Sequence, residues 1–359
     1  MLDDSLLDDP DRLAAADTGG LLRAAASAGA QVRSTVESAA EAGLDAFGGE
    51  RPRALVLLTR PGAGTTAARL LAAMLGPSCP VPVVLSDAAP SWVGALDAVV
   101  AHTDDPGDAV LAESVDLAAR RGCRVLLTAP GEGPVAAAAA GQAVLLAPRV
   151  SSPPGLTFSR AFAGGLLAVT ALGLLRTDLA ALADELDREA ERNYVAHESL
   201  VNPAKALAFR LAERTPLLWG LDPVATAVAG HAADALAGFA GVVADAVGYP
   251  RAMSRPVLHR SAVRSGSGED LFADPEETPA GRPRVLLLAV RRGAAAEAAR
   301  AAAADTLPGA DVVAVPEEVT GDEALCAAVL ASRFDTAALY LGLATGALGG
   351  PGVLSAVVD

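Results

Sequence analysis

Hydrophobic and polar positions follow two different rhythms along this chain. Up to Glu50 the residues Leu6, Leu7, Leu13, Leu21, Leu22, Val32, Val36 and Leu44 recur among Ala, Asp and Glu at helical spacing, which predicts a helical lead-in. From Ala54 short apolar runs alternate with Ala-rich stretches, the pattern of βαβ units around a parallel sheet. Strands are predicted at Ala54 to Thr59, Val81 to Leu85, Ala98 to His102, Arg124 to Thr128 and Ala143 to Leu146. Helices fit between them at Thr65 to Leu75, Ser91 to Leu96, Asp108 to Arg121 and Val135 to Ala140.

Beyond the Ser/Pro/Gly segment Ser151 to Gly155, a helical stretch from Phe158 to Asn193 is expected to cross between halves. The pattern then restarts with a helix at Ala204 to Ala212, a strand at Leu217 to Gly220 and a long helix at Val224 to Val247. Ser261 to Arg284, with Ser-Gly-Ser-Gly and Pro-Glu-Glu-Thr-Pro, reads as an exposed loop. A strand at Val285 to Val290, a helix through Arg291 to Thr306, a strand at Asp311 to Val315 and a closing helix from Asp322 to Thr345 complete the chain. The expected fold class is α/β: two α/β sandwiches with parallel sheets behind a helical N-terminal segment, divided at 1–50, 51–200 and 201–359.

Composition narrows this picture. A length of 359 residues suits two domains, and 52% hydrophobic against 20% charged residues excludes a disordered chain. The longest weakly interrupted apolar run, Ala161 to Leu175, falls short of the roughly 20 residues that span a bilayer, so no membrane partner is expected. Asp3, Asp4, Asp8, Asp9 and Asp11 are the reverse of a basic signal-peptide start, so a cytoplasmic location is expected. Cys79, Cys123 and Cys326 are odd in number and widely spaced, which reads as small core residues. A net charge of -15 with scattered arginines argues against nucleic acid. A small phosphate is compatible with that charge, because local amides and a helix N-terminus can hold it. Lys205 is the only lysine, so a mechanism that needs a lysine base has one candidate.

Chemistry is expected where predicted strands end. The first strand runs into Thr59-Arg60-Pro61-Gly62-Ala63-Gly64-Thr65-Thr66-Ala67, in which Gly62, Gly64 and Thr65 are candidate phosphate-binding residues. The same Gly62-x-Gly64-x-x-Ala67 spacing, with Asp87 after the second strand, also fits a dinucleotide fingerprint; a tight turn of small packing residues is the plain alternative. The third strand ends in His102 and Thr103, which can donate to a phosphate. Asp104 and Asp105 follow and oppose one, and Asp108 is placed to cap the next helix. The four histidines form no short-spaced metal pair and no Gly-x-Ser-x-Gly elbow occurs, so neither metal nor triad hydrolysis is expected. Arg214, beside Pro216, can hold a carboxylate, phosphate or enolate bidentately, or can serve as a structural ion pair.

These residues resemble a known family. Ala98 to His102 with its polar loop and following helix, then Val125 to Thr128 with Ala129-Pro130-Gly131, resembles a sugar isomerase (SIS) domain. Pro153-Pro154-Gly155, the block Asn202-Pro203-Ala204-Lys205-Ala206-Leu207-Ala208, the segment Arg214-Thr215-Pro216-Leu217-Leu218-Trp219-Gly220 and the stretch from Gly321-Asp322 to Leu343 resemble the bifunctional phosphoglucose/phosphomannose isomerases. The resemblance covers nearly everything after residue 50. It implies two SIS domains, each a three-layer αβα sandwich, in a homodimer without a cofactor. It also implies aldose-ketose isomerisation, between glucose or mannose 6-phosphate and fructose 6-phosphate, through an enediolate.

By the same resemblance Arg214 takes the role of the arginine that steadies the enediolate. The catalytic acid falls at Asp234, one methylene shorter than the family's glutamate, and the ring-opening histidine falls to His231 or His259. The family's serine-rich phosphate loop corresponds to His102 to Asp108, which lacks the serines, and its C-terminal lysine falls on or just beyond Asp359. Two further readings stay open. One is a SIS protein without catalysis that binds a sugar phosphate or a partner as a regulatory or structural module. The other is a dinucleotide-binding protein, built on the glycine fingerprint and Asp87.

Overall fold

The computed structural model describes residues 2–266 and 281–349. The chain divides into two compact units, Ser27–Asp187 and Met1–Ala26 with Arg188–Asp359. The helical lead-in is therefore shared. Helices α1 (Asp4–Leu7), α2 (Pro10–Ala16) and α3 (Leu21–Ala26) go with the later unit, while α4 (Ala28–Glu41) and a 3-10 turn at Leu44–Phe47 go with the earlier one.

The earlier unit is built on five strands: β1 (Leu55–Leu58), β2 (Val83–Ser86), β3 (Ala98–His102), β4 (Arg124–Thr128) and β5 (Val144–Leu146). They lie in the order β2-β1-β3-β4-β5, all parallel, with Leu55 opposite both Val83 and Ala98. The central strands are almost wholly buried, as a sheet covered on both faces requires. Its helices are α5 (Ala63–Leu75), α6 (Ala109–Arg120), α7 (Gly133–Ala139) and α8 (Phe158–Ala171). Val56, Leu58, Val99, Ala101, Val125 and Leu127 pack with Leu111, Val115 and Val135 of α6 and α7. Strand alternation turns Val100 and His102 to the other face, where α5 and α8 lie.

After α9 (Leu179–Arg192) the later unit adds α10 (Pro203–Leu211), β6 (Arg214–Gly220), α11 (Pro223–Ala240), β7 (Asp245–Gly248), α12 (Tyr249–Met253) and α13 (Pro256–Gly266). Then come β8 (Arg282–Ala289), α14 (Ala294–Thr306), β9 (Asp311–Ala314) and α15 (Glu323–Thr345). The sheet order is β7-β6-β8-β9, again all parallel. Leu217, Trp219, Val285 and Leu287 pack on one face with Ala252, Ala262 and Ala303 of α12 to α14 and with Leu307, which follows α14. Helices α10 and α11 contact β6, and α15 packs against both of them. At 23 residues α15 is the one described helix long and apolar enough to cross a bilayer, and it is buried within its unit.

Both halves have the expected parallel-sheet architecture, with four local differences. Ser91 to Leu96 forms turns in place of a helix, because the buried Asp97 side chain takes Gly94 N and the Arg53 guanidinium and organises the segment around itself. The stretch Phe158 to Asn193 is two helices, with Asp178 capping the second through Ala180 N and Ala181 N. The helix expected to reach Val247 stops at Ala240, since Gly241 takes a left-handed conformation at φ 64°, and Asp245–Gly248 becomes the edge strand β7. The loop expected over Ser261 to Arg284 begins inside α13 and ends inside β8, and its residues 267–280 lie outside the described residues.

Two of the blocks that carried the family resemblance prove to be helix starts, while Arg214–Gly220 and Ala98–His102 are the strands β6 and β3. Asn202 caps α10 by accepting from Ala204 N and Lys205 N, with Pro203 in the first helical position where its missing N–H costs nothing. Asp222-Pro223 starts α11 and Asp322 starts α15 in the same way.

Candidate functional site

In an open parallel sheet ligands settle where neighbouring strands send their helices to opposite faces. In the first sheet that point lies between β1, followed by α5, and β3, followed by α6. Arg60, from the loop after β1, meets Asp108, from the loop after β3. Nε donates to Oδ2 at 2.7 Å and Nη2 to Oδ1 at 3.0 Å, with both side chains largely buried. Oδ1 of Asp108 also accepts from Leu111 N at 3.0 Å and so caps α6, as expected. Arg60 Nη1 donates to the Asp87 carbonyl at 3.1 Å, and Thr59 Oγ1 to the Asp87 carboxylate at 2.7 Å.

The glycine turn is shaped by backbone needs. Gly62 adopts φ 84° immediately before α5, and a methyl group on Gly64 would lie 2.6 Å from the His102 carbonyl oxygen, so α5 can approach β3 only with glycine there. Thr65 turns inward, its N and Oγ1 both donating to the Arg60 carbonyl. Gly62, Gly64, Thr65, His102 and Thr103 are thus gathered at the carboxyl ends of β1 and β3, together with Asp87, Asp104, Asp105 and Asp108.

His102 is 4% exposed and neither ring nitrogen has a hydrogen-bond partner. Nε2 lies 3.5 Å from an Asp104 oxygen, within ion-pair range but outside hydrogen-bond geometry. Asp104 is held by Thr157 Oγ1 and by Arg160 Nη2, the latter at 2.6 Å. Burial pushes the Asp104 carboxyl upward, but His102, Thr157 and Arg160 outweigh it and hold the group well below the usual carboxylate range. His102 and Gly64 line a space of about one water's size, beside Leu57, Leu71, Val100 and Ala161.

The second sheet has its switch point between β6, followed by α11, and β8, followed by α14. Asp222 occupies it. Oδ1 accepts from Ala225 N at 2.8 Å, while Oδ2 accepts from Val290 N at 3.0 Å and Arg291 N at 3.1 Å. Asp222 was not among the expected site residues. Its signal, an Asp-Pro step immediately after a buried strand, is legible in the sequence.

The expected catalytic residues are placed as follows. Arg214 is the first residue of β6, exposed, and about 20 Å of strand from its carboxyl end. Asp234 is exposed on α11, about 16 Å along from the helix start. His231, one turn earlier, is buried, and its Nε2 lies 2.8 Å from Asp335 Oδ1 on α15. Burial alone would lower the His231 pKa; the Asp335 charge and hydrogen bond, with Asp234 adding to them, raise it above the ordinary value. His259 lies on α13, on the opposite face of the sheet from α11. Arg214, Asp234 and His231 do not line the small cavity of their own unit, which lies among Ala262, Val263, Arg284, Val285 and Leu307.

Lys205, the sole lysine, is buried and donates to the Val195 and His197 carbonyls at 2.8 and 2.7 Å, with Nζ 5.5 Å from the Tyr340 ring. Burial lowers its pKa, and Asp8 opposes that shift. Its bonds clamp the loop before α10, a structural role.

No family model matches the chain, and no curated protein sequence matches it. Solved structures do. A chain assigned as a phosphosugar isomerase from Silicibacter pomeroyi DSS-3 superposes with a TM-score of 0.62 at 16% identity, over 91% of this chain and 98% of that one. The fold is the double SIS fold. The C-terminal domain of glucosamine-fructose-6-phosphate aminotransferase from Francisella tularensis shares this SIS fold with a TM-score of 0.60 at 12% identity, over 92% and 98% of the two chains. Tagatose-6-phosphate ketose/aldose isomerase from Escherichia coli does so with a TM-score of 0.55 at 12% identity, over 91% of each. At such identities the SIS likeness is one of fold.

Proposed function

We propose that this phosphosugar isomerase-like protein is a SIS protein without isomerase turnover, acting as a regulatory or structural module. The observation that carries this reading is the pair of aspartates at the two switch points. Asp108 takes the guanidinium and Asp222 the backbone amides that a phosphate or an enediolate would require. Asp87, Asp104 and Asp105 add like charge around the first of these points. The commitment of His231 to Asp335 supports the same reading, because a ring-opening histidine must exchange protons with a sugar and this one is buried in an ion pair.

A second reading, isomerisation of glucose or mannose 6-phosphate to fructose 6-phosphate, is favoured by one observation. Arg214 is exposed and makes no ion pair among the described residues, so its guanidinium is free for a substrate.

Proton NMR of fructose 6-phosphate, glucose 6-phosphate and mannose 6-phosphate in heavy water separates the two. The module reading expects no exchange at C1 or C2 at high protein concentration. Exchange that disappears in Arg214→Ala would establish the isomerase and overturn the module.

A further inference from the structure

The amino edge of the first sheet, opposite the Arg60–Asp108 pair, holds a cavity of about 490 Å³, within the range of small-molecule sites. Arg124, the first residue of β4, lines it. Its Nη1 donates to the Phe47 and Gly48 carbonyls at 3.1 and 3.0 Å, and its Nη2 donates to the Glu50 carbonyl at 2.9 Å. A guanidinium has five N–H donors, so two remain, and among the described residues no carboxylate pairs with this charge. The apolar wall is Val144 with the exposed Ala46, backed by Phe47 and Val125, which are themselves buried. Ala42 and Gly122, the residues that follow the last turns of α4 and α6, also line the cavity, so the carbonyl ends of two helices border it. Both ends carry partial negative charge; the α6 carbonyls of Leu117, Ala118 and Ala119 already accept from Arg121 N, Gly122 N and Cys123 N, whereas past Ser38 the α4 end keeps acceptors open.

One cavity therefore combines an unpaired guanidinium, a carbonyl-rich border and an apolar wall. We propose that it binds a free α-amino acid with an apolar side chain. The carboxylate meets the remaining donors of Arg124, the ammonium faces the open carbonyl end of α4, and the side chain lies on Val144 and Ala46. A phosphate would set a larger negative charge against the two helix ends, and a simple amine would leave Arg124 without its anion. The inference does not rest on the module reading, because it uses neither switch point.

Isothermal titration of the full chain with L-phenylalanine and L-leucine tests it, with 3-phenylpropanoate and 2-phenylethylamine as analogues lacking one charge each. Saturable one-to-one binding of an amino acid is expected, with both analogues at least about tenfold weaker. Arg124→Lys should weaken binding about tenfold, because the bidentate fork is lost while the charge stays. Ala46→Trp, which fills the cavity and leaves Arg124 and its carbonyl partners untouched, should abolish binding, with circular dichroism melting to confirm the fold. No saturation by either amino acid at millimolar concentration, equal binding of an analogue, or unchanged binding in Ala46→Trp would each overturn the proposal.

Discussion

The two switch points present the same solution in different chemistry. In the first sheet the carboxylate of Asp108 is met by the Arg60 guanidinium as well as by the helix amide it caps. In the second, the carboxylate of Asp222 is met by three backbone amides and no cation. Either arrangement ties the loop after one strand to the loop after its neighbour. They differ in what removal leaves behind: a largely buried guanidinium in the first case and neutral N–H groups in the second. A positively charged group stripped of its partner seeks another anion, whereas neutral amides accept water at lower cost. The first switch point is thus one substitution away from an anion site, and the second is a structural stitch.

The largest effect is expected from Asp108→Ala, which breaks a buried ion pair and a helix cap together and should lower stability by about 4 kcal/mol in urea unfolding. Adding inorganic phosphate should restore part of that loss in Asp108→Asn and leave the native protein unmoved. If phosphate stabilises both equally, the contrast between the two points fails.

Asp222→Ala removes a cap and two loop-bridging bonds and should cost about 2 kcal/mol, without any phosphate response. A cost exceeding that of Asp108→Ala would reverse the order proposed here.

The smallest effect belongs to the ion pair behind the second switch point, His231 with Asp335. The His231 pKa is raised in the folded protein, so the pair's contribution is full below the unfolded value of about 6.5 and fades as pH rises through the folded value. The stability gap between the native protein and Asp335→Asn should therefore be wider at pH 6 than at high pH. A gap that widens with rising pH would show that His231 is held neutral, and the ion pairs of the second unit would then be those on its strands, such as Arg284 with Asp311 and Arg255 with Asp245.

Much of the fold was legible because parallel sheets covered on both faces need continuous apolar runs, and Val56 to Leu58, Ala98 to Ala101 and Val125 to Leu127 provide them. The strand β7 was not legible. Asp245-Ala246-Val247-Gly248 is short and half-buried, so its apolar content is that of a helix end, and only pairing with Leu217 to Gly220 makes it a strand. The glycine turn, the third-strand loop and the Asp108 cap were readable, because local spacing determines turns and caps. The partners of those residues were not. Arg60 precedes Asp108 by 48 positions and His231 precedes Asp335 by 104, so no local pattern couples them.

By itself, then, the sequence determined which segments become strands and helices, where most helices start, and that the chain folds as two parallel-sheet sandwiches. These follow from periodicity and capping, which act over a few residues. Only the tertiary structure decided what each charged side chain does: that Asp108 and Asp222 fill the switch points, that His231 is spent on an internal ion pair, and that Arg124 lines a cavity without an anion. The role of a charge depends on which distant group folding brings within a few ångströms, and on how much water remains between them.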